Sequence, residues 1–327
     1  MTSAGAIADR ELVLLRLEDG EGHVGWGEAA PLIPSADRVE SALGACVEAL
    51  AGAGPEDHRS LLARCAEVVL LPEALAAVDL ALWDLEGNRA GRPVWQLLGA
   101  PAAGPVPVNA TIAAADRAGA SRLAARARER GFPAVKLKVG LGDDAGRVAA
   151  VRAAAGPGMQ IRLDANGAWS VEQARSALRA LEPSGIELCE EPVHGREQIA
   201  ELWRDCPVPL AIDETAGDPI ALHERICDAV CLKIVACGGI SGVLRAGRTA
   251  HAAGYEVYLA SSLDGPLGIA AALHAAVALE VTRPCGLATL ELFDGLPDPL
   301  APRGGTIDPP AGPGLGVAVD PWYFAAG

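Results

Sequence analysis

Apolar runs of strand length that alternate with amphipathic helical stretches predict an α/β fold, a TIM-like barrel preceded by a small α+β domain. The runs fall at Val106–Ile112, Ala134–Val139, Gln160–Ala165, Ile186–Glu190, Pro209–Asp213, Ala229–Ile234, Glu256–Ser261 and Gly286–Leu290, with centres 21 to 30 residues apart. Between them lie Ala/Leu/Arg-rich stretches such as Ala118–Arg130 and Val171–Leu181. Strands and helices alternating at this pitch form parallel βα units, and eight such units suit a barrel. An open doubly wound sheet also alternates, but it needs a Gly-rich phosphate turn after its first strand. None follows Val106–Ile112.

The elements follow in order. Glu11–Leu17 and His23–Glu28 flank Asp19-Gly20 and Gly22, a hairpin with a Gly-containing turn. Helical patterns cover Asp37–Leu50 and Glu73–Ala90. The second places Leu75, Val78, Leu82 and Leu85 on one face and stops at Gly91-Arg92-Pro93. Ser170, with Glu172 and Gln173 behind it, caps the helix Val171–Leu181. The tail after Gly295 is rich in Pro and Gly. The expected organisation is an α+β domain over 1–104, a barrel over 105–295, and a tail over 296–327 that runs back over the first domain.

Composition narrows the function. The chain has 327 residues, half of them hydrophobic, and a net charge of −15. An acidic chain is a poor partner for nucleic acid or anionic membranes. No run is long and apolar enough to span a bilayer, and no basic-then-apolar leader opens the sequence. Cytoplasm is the expected location. The eight cysteines show no CxxC spacing and the six histidines no HExxH. That argues against a thiolate or imidazole metal site and for reduced core cysteines.

The chemistry sits at predicted strand ends, where barrel active sites lie. Lys136 and Lys138 are two apart, so a strand turns both to one face. Burying two ammonium groups together needs compensation. Asp164 and Asn166 end the third run, Glu190 the fourth, Asp213 the fifth and Lys233 the sixth. A lone Asp at a strand end is usually a cap or turn former, and Asp213-Glu214 alone reads as a solvated loop. Five charged groups at successive strand ends are harder to explain structurally. Three converging carboxylates repel unless a hard cation joins them, and all-oxygen ligation points to Mg²⁺, with Mn²⁺ as the alternative. A small carboxylate substrate could then lose its α-proton to a lysine, giving a metal-stabilised enediolate. Lys138, nearer the strand end, is the candidate base and Lys136 its support. Strand parity alone leaves Glu190 and Glu191 as alternatives.

Lys136-Leu-Lys138, Asp164-Ala-Asn166, Glu190-Glu191-Pro192, Asp213-Glu214 and Lys233 together resemble the enolase superfamily, in its muconate-lactonizing subgroup. Gly25–Leu32 (GWGEAAPL) and Ala74–Gly99 look like its capping domain. The resemblance implies a (β/α)7β barrel with an N-terminal α+β capping domain completed by the tail. It implies Asp164, Glu190 and Asp213 as metal ligands and Lys138 and Lys233 on opposite faces of the substrate. Asn166, Glu214, Ser261 and Ser262 are supporting or substrate-binding candidates. A homo-oligomer is compatible with it. Four activities share this set: o-succinylbenzoate synthase, N-succinylamino acid racemase, dipeptide epimerase and cycloisomerase. Pro105–Ile112 and Leu259–Leu279 are similar to o-succinylbenzoate synthases, which implies a dehydration in menaquinone biosynthesis. Dipeptide epimerases usually carry a DxD motif near the latter segment, where this chain has only Asp264. Ala74–Gly99 looks more like epimerases and cycloisomerases. Family members usually begin with a further strand and a mobile lid, whereas the hairpin here is expected by Glu11. A barrel that binds a carboxylate without turning it over is the alternative.

Overall fold

The computed structural model describes residues 9–31, 35–54, 57–113, 115–320 and 322–324. Leu32 and the first eight residues, where a lid would begin, lie outside them.

Strands β1 (Val13–Glu18) and β2 (Val24–Ala29) form the expected antiparallel hairpin, pairing Val13 with Ala29 and Glu18 with Val24. The hairpin lies directly on the helix Pro72–Ala90. A Cβ at Gly25 would fall 2.1 Å from the Ala81 carbonyl oxygen, and one at Gly27 1.8 Å from that of Ala77. Only glycine permits so close an approach. The helix opens with proline in its first turn and ends at Gly91, whose φ of 63° is the left-handed stop that glycine favours. It is buried on most sides, and its two buried aspartates tie other segments to it. Asp84 accepts from the backbone N–H of Trp26 at 2.8 Å and of Leu315 at 2.7 Å. Asp79 accepts from the Ser241 N–H at 2.9 Å and its hydroxyl at 2.6 Å, and faces His58 Nε2 at 2.8 Å. The helices Ala36–Leu50 and His58–Val68 pack beside it. The sequence reading had the first of these but not the second.

The first barrel run divides. Val106–Pro107 (β3) pairs antiparallel with Thr306–Ile307, and Asn109–Ile112 (β4) alone enters the barrel. Pro107 has no N–H to donate, and the Val108 N–H goes to Gly305 at 2.9 Å. Strands β5 (Ala134–Lys138), β6 (Gln160–Asp164), β7 (Ile186–Glu190), β8 (Leu210–Ile212), β9 (Ala229–Leu232) and β10 (Glu256–Leu259) follow, and β11 is Thr306–Ile307. From β4 to β10 they form one parallel sheet in chain order. The fold is a TIM-like barrel with a capping domain. The expected eighth strand is a correction. Within Gly286–Leu290 only Gly286 makes a bridge, to Ala260, while Cys285 just before it bridges to Val108. The Thr289 N–H then bonds to Leu287 at 2.9 Å rather than to a neighbouring strand, and the chain turns into a short 3₁₀ helix, Leu290–Leu292. The helix Val171–Leu181 has the expected bounds, with Ser170 and Gln173 capping reciprocally.

Buried groups join the tail to both parts. The Tyr323 hydroxyl donates to Glu28, on β2, and accepts from the Leu267 N–H at 2.8 Å. Burial, with the Asp264 charge adding, pushes the Glu28 carboxyl up to about 7. On the helix Pro266–Ala278, His274 Nδ1 accepts from the Trp95 N–H and Nε2 faces the Leu315 carbonyl, each at 3.3 Å. That geometry needs a neutral ring, and burial pushes its pKa down to about 4 from 6.5.

Below about pH 6.5 the unfolded chain protonates this histidine while the folded chain resists until about pH 4, so stability is lost as pH falls through that window. Denaturant unfolding of the wild type and His274→Gln at about pH 7 and pH 4.5 should show their stability difference narrowing by roughly 2–3 kcal/mol at the lower pH. A difference that stays constant would refute this account.

Candidate active site

Barrel register sets the level of the charged groups. Lys138 on β5 lies beside Asp164 on β6, and Asp164 beside Glu190 on β7. Glu190 pairs with Ala211 on β8, so Asp213 stands two residues further along the same face. The side chains of Asp164, Glu190 and Asp213 are buried. Each meets an ammonium. Lys136 Nζ lies 2.7 Å from Glu190 Oε1 and 3.0 Å from Asp164 Oδ2. Lys138 Nζ donates to Asn166 Oδ1 and lies 4.0 Å from Asp164 Oδ2. Lys233 Nζ donates to Asp213 Oδ2 at 2.5 Å. The other oxygen of Glu190 accepts from the Tyr258 hydroxyl at 2.7 Å.

The three lysines are electrostatically distinct. Burial opposes the charge on Lys136, but Asp164 and Glu190 outweigh it and hold its pKa well above the usual lysine value. Lys233 is raised in the same way, Asp213 overcoming burial. Lys138 is lowered: burial dominates, Asp164 only partly offsets it, and Lys136 pushes it further down. Of the three, Lys138 is the one poised to lose its proton.

Local backbone decides which glutamate faces the cluster. Glu190 points in. Glu191 is left-handed, with φ 41°, and its buried carboxylate turns away. It accepts from the Asp213 N–H at 2.8 Å, the Thr215 N–H at 3.2 Å and the Thr215 hydroxyl at 2.5 Å, with His194 Nδ1 at 3.2 Å. Glu191 therefore fixes the backbone that carries Asp213. Asn166, φ 44°, donates from its backbone to Asp164 at 3.1 Å and from its amide to Glu214 at 3.4 Å. The Ser261 hydroxyl accepts from the Asp264 N–H and the Ser262 N–H donates to Asp264, while the Ser261 N–H donates to the Gly286 carbonyl and the Ser262 carbonyl accepts from Arg10. The sequence reading missed Tyr258 and Cys231. A ligand atom each of Glu190, Asp213 and Cys231 lies within 4.8 Å of the others. Both read as core residues in an apolar strand, and only the inward parity of β9 and β10 could have flagged them.

The donor set fits a hard divalent cation. Its oxygens come from buried carboxylates on adjacent strands, and burial pushes the Asp213 carboxyl up against the pull of Lys233. Burial pushes the Cys231 thiol well up, so in the unliganded site it is a neutral thiol beside the carboxylates.

Residues 119–323 match the enolase C-terminal domain-like family, and residues 1–99 match the mandelate racemase / muconate lactonizing enzyme N-terminal domain. The chain belongs to the enolase superfamily. Its relatives in that superfamily differ in activity. The chain is 32% identical over 340 residues to the L-Ala-D/L-Glu epimerase of Bacillus subtilis, covering 97% of this chain and 91% of that protein. It is 37% identical over 220 residues to the o-succinylbenzoate synthase of Thermobifida fusca, covering 64% of this chain and 68% of that one. The muconate lactonizing enzyme of Pseudomonas putida superposes with a TM-score of 0.88 at 28% identity, over 94% of this chain and 92% of that chain. Superfamily members of this kind are metal-dependent lyases, racemases, epimerases and cycloisomerases, and this chain is an enzyme of that set. No helix among the described residues is long and apolar enough to cross a membrane.

Glu191→Ala would leave the buried Asp213 and Thr215 donors without their acceptor. Such a loss costs roughly 3–9 kcal/mol if all three donors stay stranded, since each is worth about 1–3. Denaturant unfolding should show it, and an unchanged midpoint would refute the positioning of Asp213 by Glu191.

Proposed function

We propose that the enzyme removes a proton α to a substrate carboxylate, with Lys138 as the base. One observation carries this reading. Along β5 to β9, five consecutive strands of one sheet, Lys138 and Lys233 stand at the two ends of an arc whose middle is Asp164, Glu190 and Asp213. Mg²⁺, or Mn²⁺ in its place, held by those three carboxylates would supply the positive charge that makes the α-proton of a bound carboxylate acidic. Lys138, its pKa lowered by burial, takes the proton. Lys233, kept protonated beside Asp213, faces the developing anion from the opposite side. Lys136 keeps Asp164 and Glu190 in place.

The substrate we propose is a cyclohexadiene carboxylate, dehydrated to o-succinylbenzoate as in menaquinone biosynthesis. Proton loss to Lys138 is followed by departure of the neighbouring hydroxyl, which takes a proton back and leaves as water. A dipeptide needs an acid for its free ammonium. The segment that closes the barrel, Gly286, Leu287 and Ala288, carries no charge, and Asp264 is buried and turned to the Ser262 N–H. That favours a substrate without an ammonium. Epimerisation is the second reading, supported by the 32% identity to the Bacillus subtilis epimerase over nearly the whole chain.

With Mg²⁺, the cyclohexadiene carboxylate should be turned over in preference to N-succinylamino acids and to Ala-Glu or hydrophobic dipeptides. Chelation should abolish turnover and added Mg²⁺ restore it. Lys138→Ala should lower kcat by about 10²–10⁴, the usual share of a general base. Turnover that survives this substitution sinks the mechanism, and a preference for dipeptides sinks the substrate. Solvent deuterium appearing at the α-carbon of recovered N-succinylamino acid would identify a racemase.

A further inference from the structure

The interior of the barrel below the cluster is polar, where such interiors are usually filled with branched apolar side chains. Arg162 on β6 is buried, 1% exposed, and its guanidinium pairs with Glu187 and donates to the Pro284 carbonyl. Glu187 reaches it because of a bulge. The β6–β7 register runs from Ile161 opposite Ile186 to Arg162 opposite Leu188, so one residue of β7 is skipped. The Arg162 guanidinium carbon then sits 4.9 Å from the ring centroid of Tyr258, on β10. Tyr258 is 2% exposed, and its hydroxyl donates to Glu190 Oε2 at 2.7 Å. Glu190 Oε1 is held by Lys136 at 2.7 Å.

We propose that Tyr258 is a positioning residue for the metal: seated on Arg162, it fixes the plane of the Glu190 carboxylate and so sets the affinity of the divalent-cation site. The inference rests on Asp164, Glu190 and Asp213 being the metal ligands. Two donors on two different oxygens define the orientation of a carboxylate, while one leaves it free to rotate about its terminal bond. Lys136 alone cannot do the work, because it is shared with Asp164. Tyr258 has no such division. Its ring is confined by Arg162, which is itself locked by an ion pair and a carbonyl, so the hydroxyl can be presented in one direction only. Partners of this kind behind a ligand typically change metal affinity by 10–100-fold when removed.

The comparison that separates positioning from packing is internal to β10 and the residue before it. Tyr255 is as buried as Tyr258, at 3%, and its hydroxyl bonds only to backbone, to the Ala221 and Glu224 carbonyls and the Ile226 N–H. Mn²⁺ binding to the full chain, followed by the loss of the free-ion paramagnetic resonance signal, should be at least tenfold weaker in Tyr258→Phe and unchanged in Tyr255→Phe, although both lose a buried hydroxyl. Tyr258→Met, which also lacks the donor, provides the second arm if the phenylalanine variant melts early. Mn²⁺ affinity within twofold of wild type in either folded Tyr258 variant would overturn the proposal, as would equal weakening by Tyr255→Phe. A wild-type chain that binds no Mn²⁺ would instead overturn the metal reading on which it rests.

Discussion

One ammonium group between two buried carboxylates holds the centre of this molecule together. Lys136 lies within 3.0 Å of both Asp164 and Glu190, and the three side chains come from three adjacent strands. Without it, two carboxylates would face each other uncompensated in a low-dielectric interior. With it, both are paired and face the mouth of the barrel. The ordering of the lysines follows: Lys136 is the counter-ion, and its charge helps lower its neighbour Lys138. A single strand thus carries a structural cation and a candidate base two residues apart.

The second tier works by the same compensation, with rigid partners. Glu187, Arg162 and Tyr258 connect the lower barrel to Glu190, and Glu191 connects Asp213 to the turn beyond β8. Buried polar groups are tolerable only when their hydrogen bonds are made, and here Lys136, Tyr258 and Arg162 each direct one to a carboxylate. The site is therefore held from below, by the barrel interior, and from the side, by the loop after β7.

Much of this was legible in the sequence, because the periodicity of βα units is strong and the charged residues interrupt apolar runs. The helix Val171–Leu181 came out with its bounds because Ser170 and Gln173 announce its start. Three things were not legible, each for a physical reason. The eighth run looked like a strand by composition, yet only Cys285 and Gly286 meet their neighbours, at single bridges, before the chain curls. The helix His58–Val68 buries little beyond Cys65 and so shows little apolar stripe. The choice between Glu190 and Glu191 could not follow from alternation, since β7 bulges: Glu187 and Glu190, three apart, both reach groups inside the barrel. An odd spacing on one face contradicts any strict two-residue rule, and only the fold reveals it.

The helix Pro72–Ala90 also bears on how the chain assembles during synthesis. It leaves the ribosome early, but the partners of its buried aspartates come late: Ser241 for Asp79 and Leu315 for Asp84. Glu28 waits longer still, for Tyr323, across 295 residues. Until those segments emerge, Asp84 has the Trp26 N–H and Asp79 has His58, but each lacks its later partner and Glu28 lacks Tyr323, so the N-terminal region gains from staying open and solvated. The first domain to be made is thus among the last to be finished, and a nascent chain stopped short of residue 315 would leave it without its closing contacts.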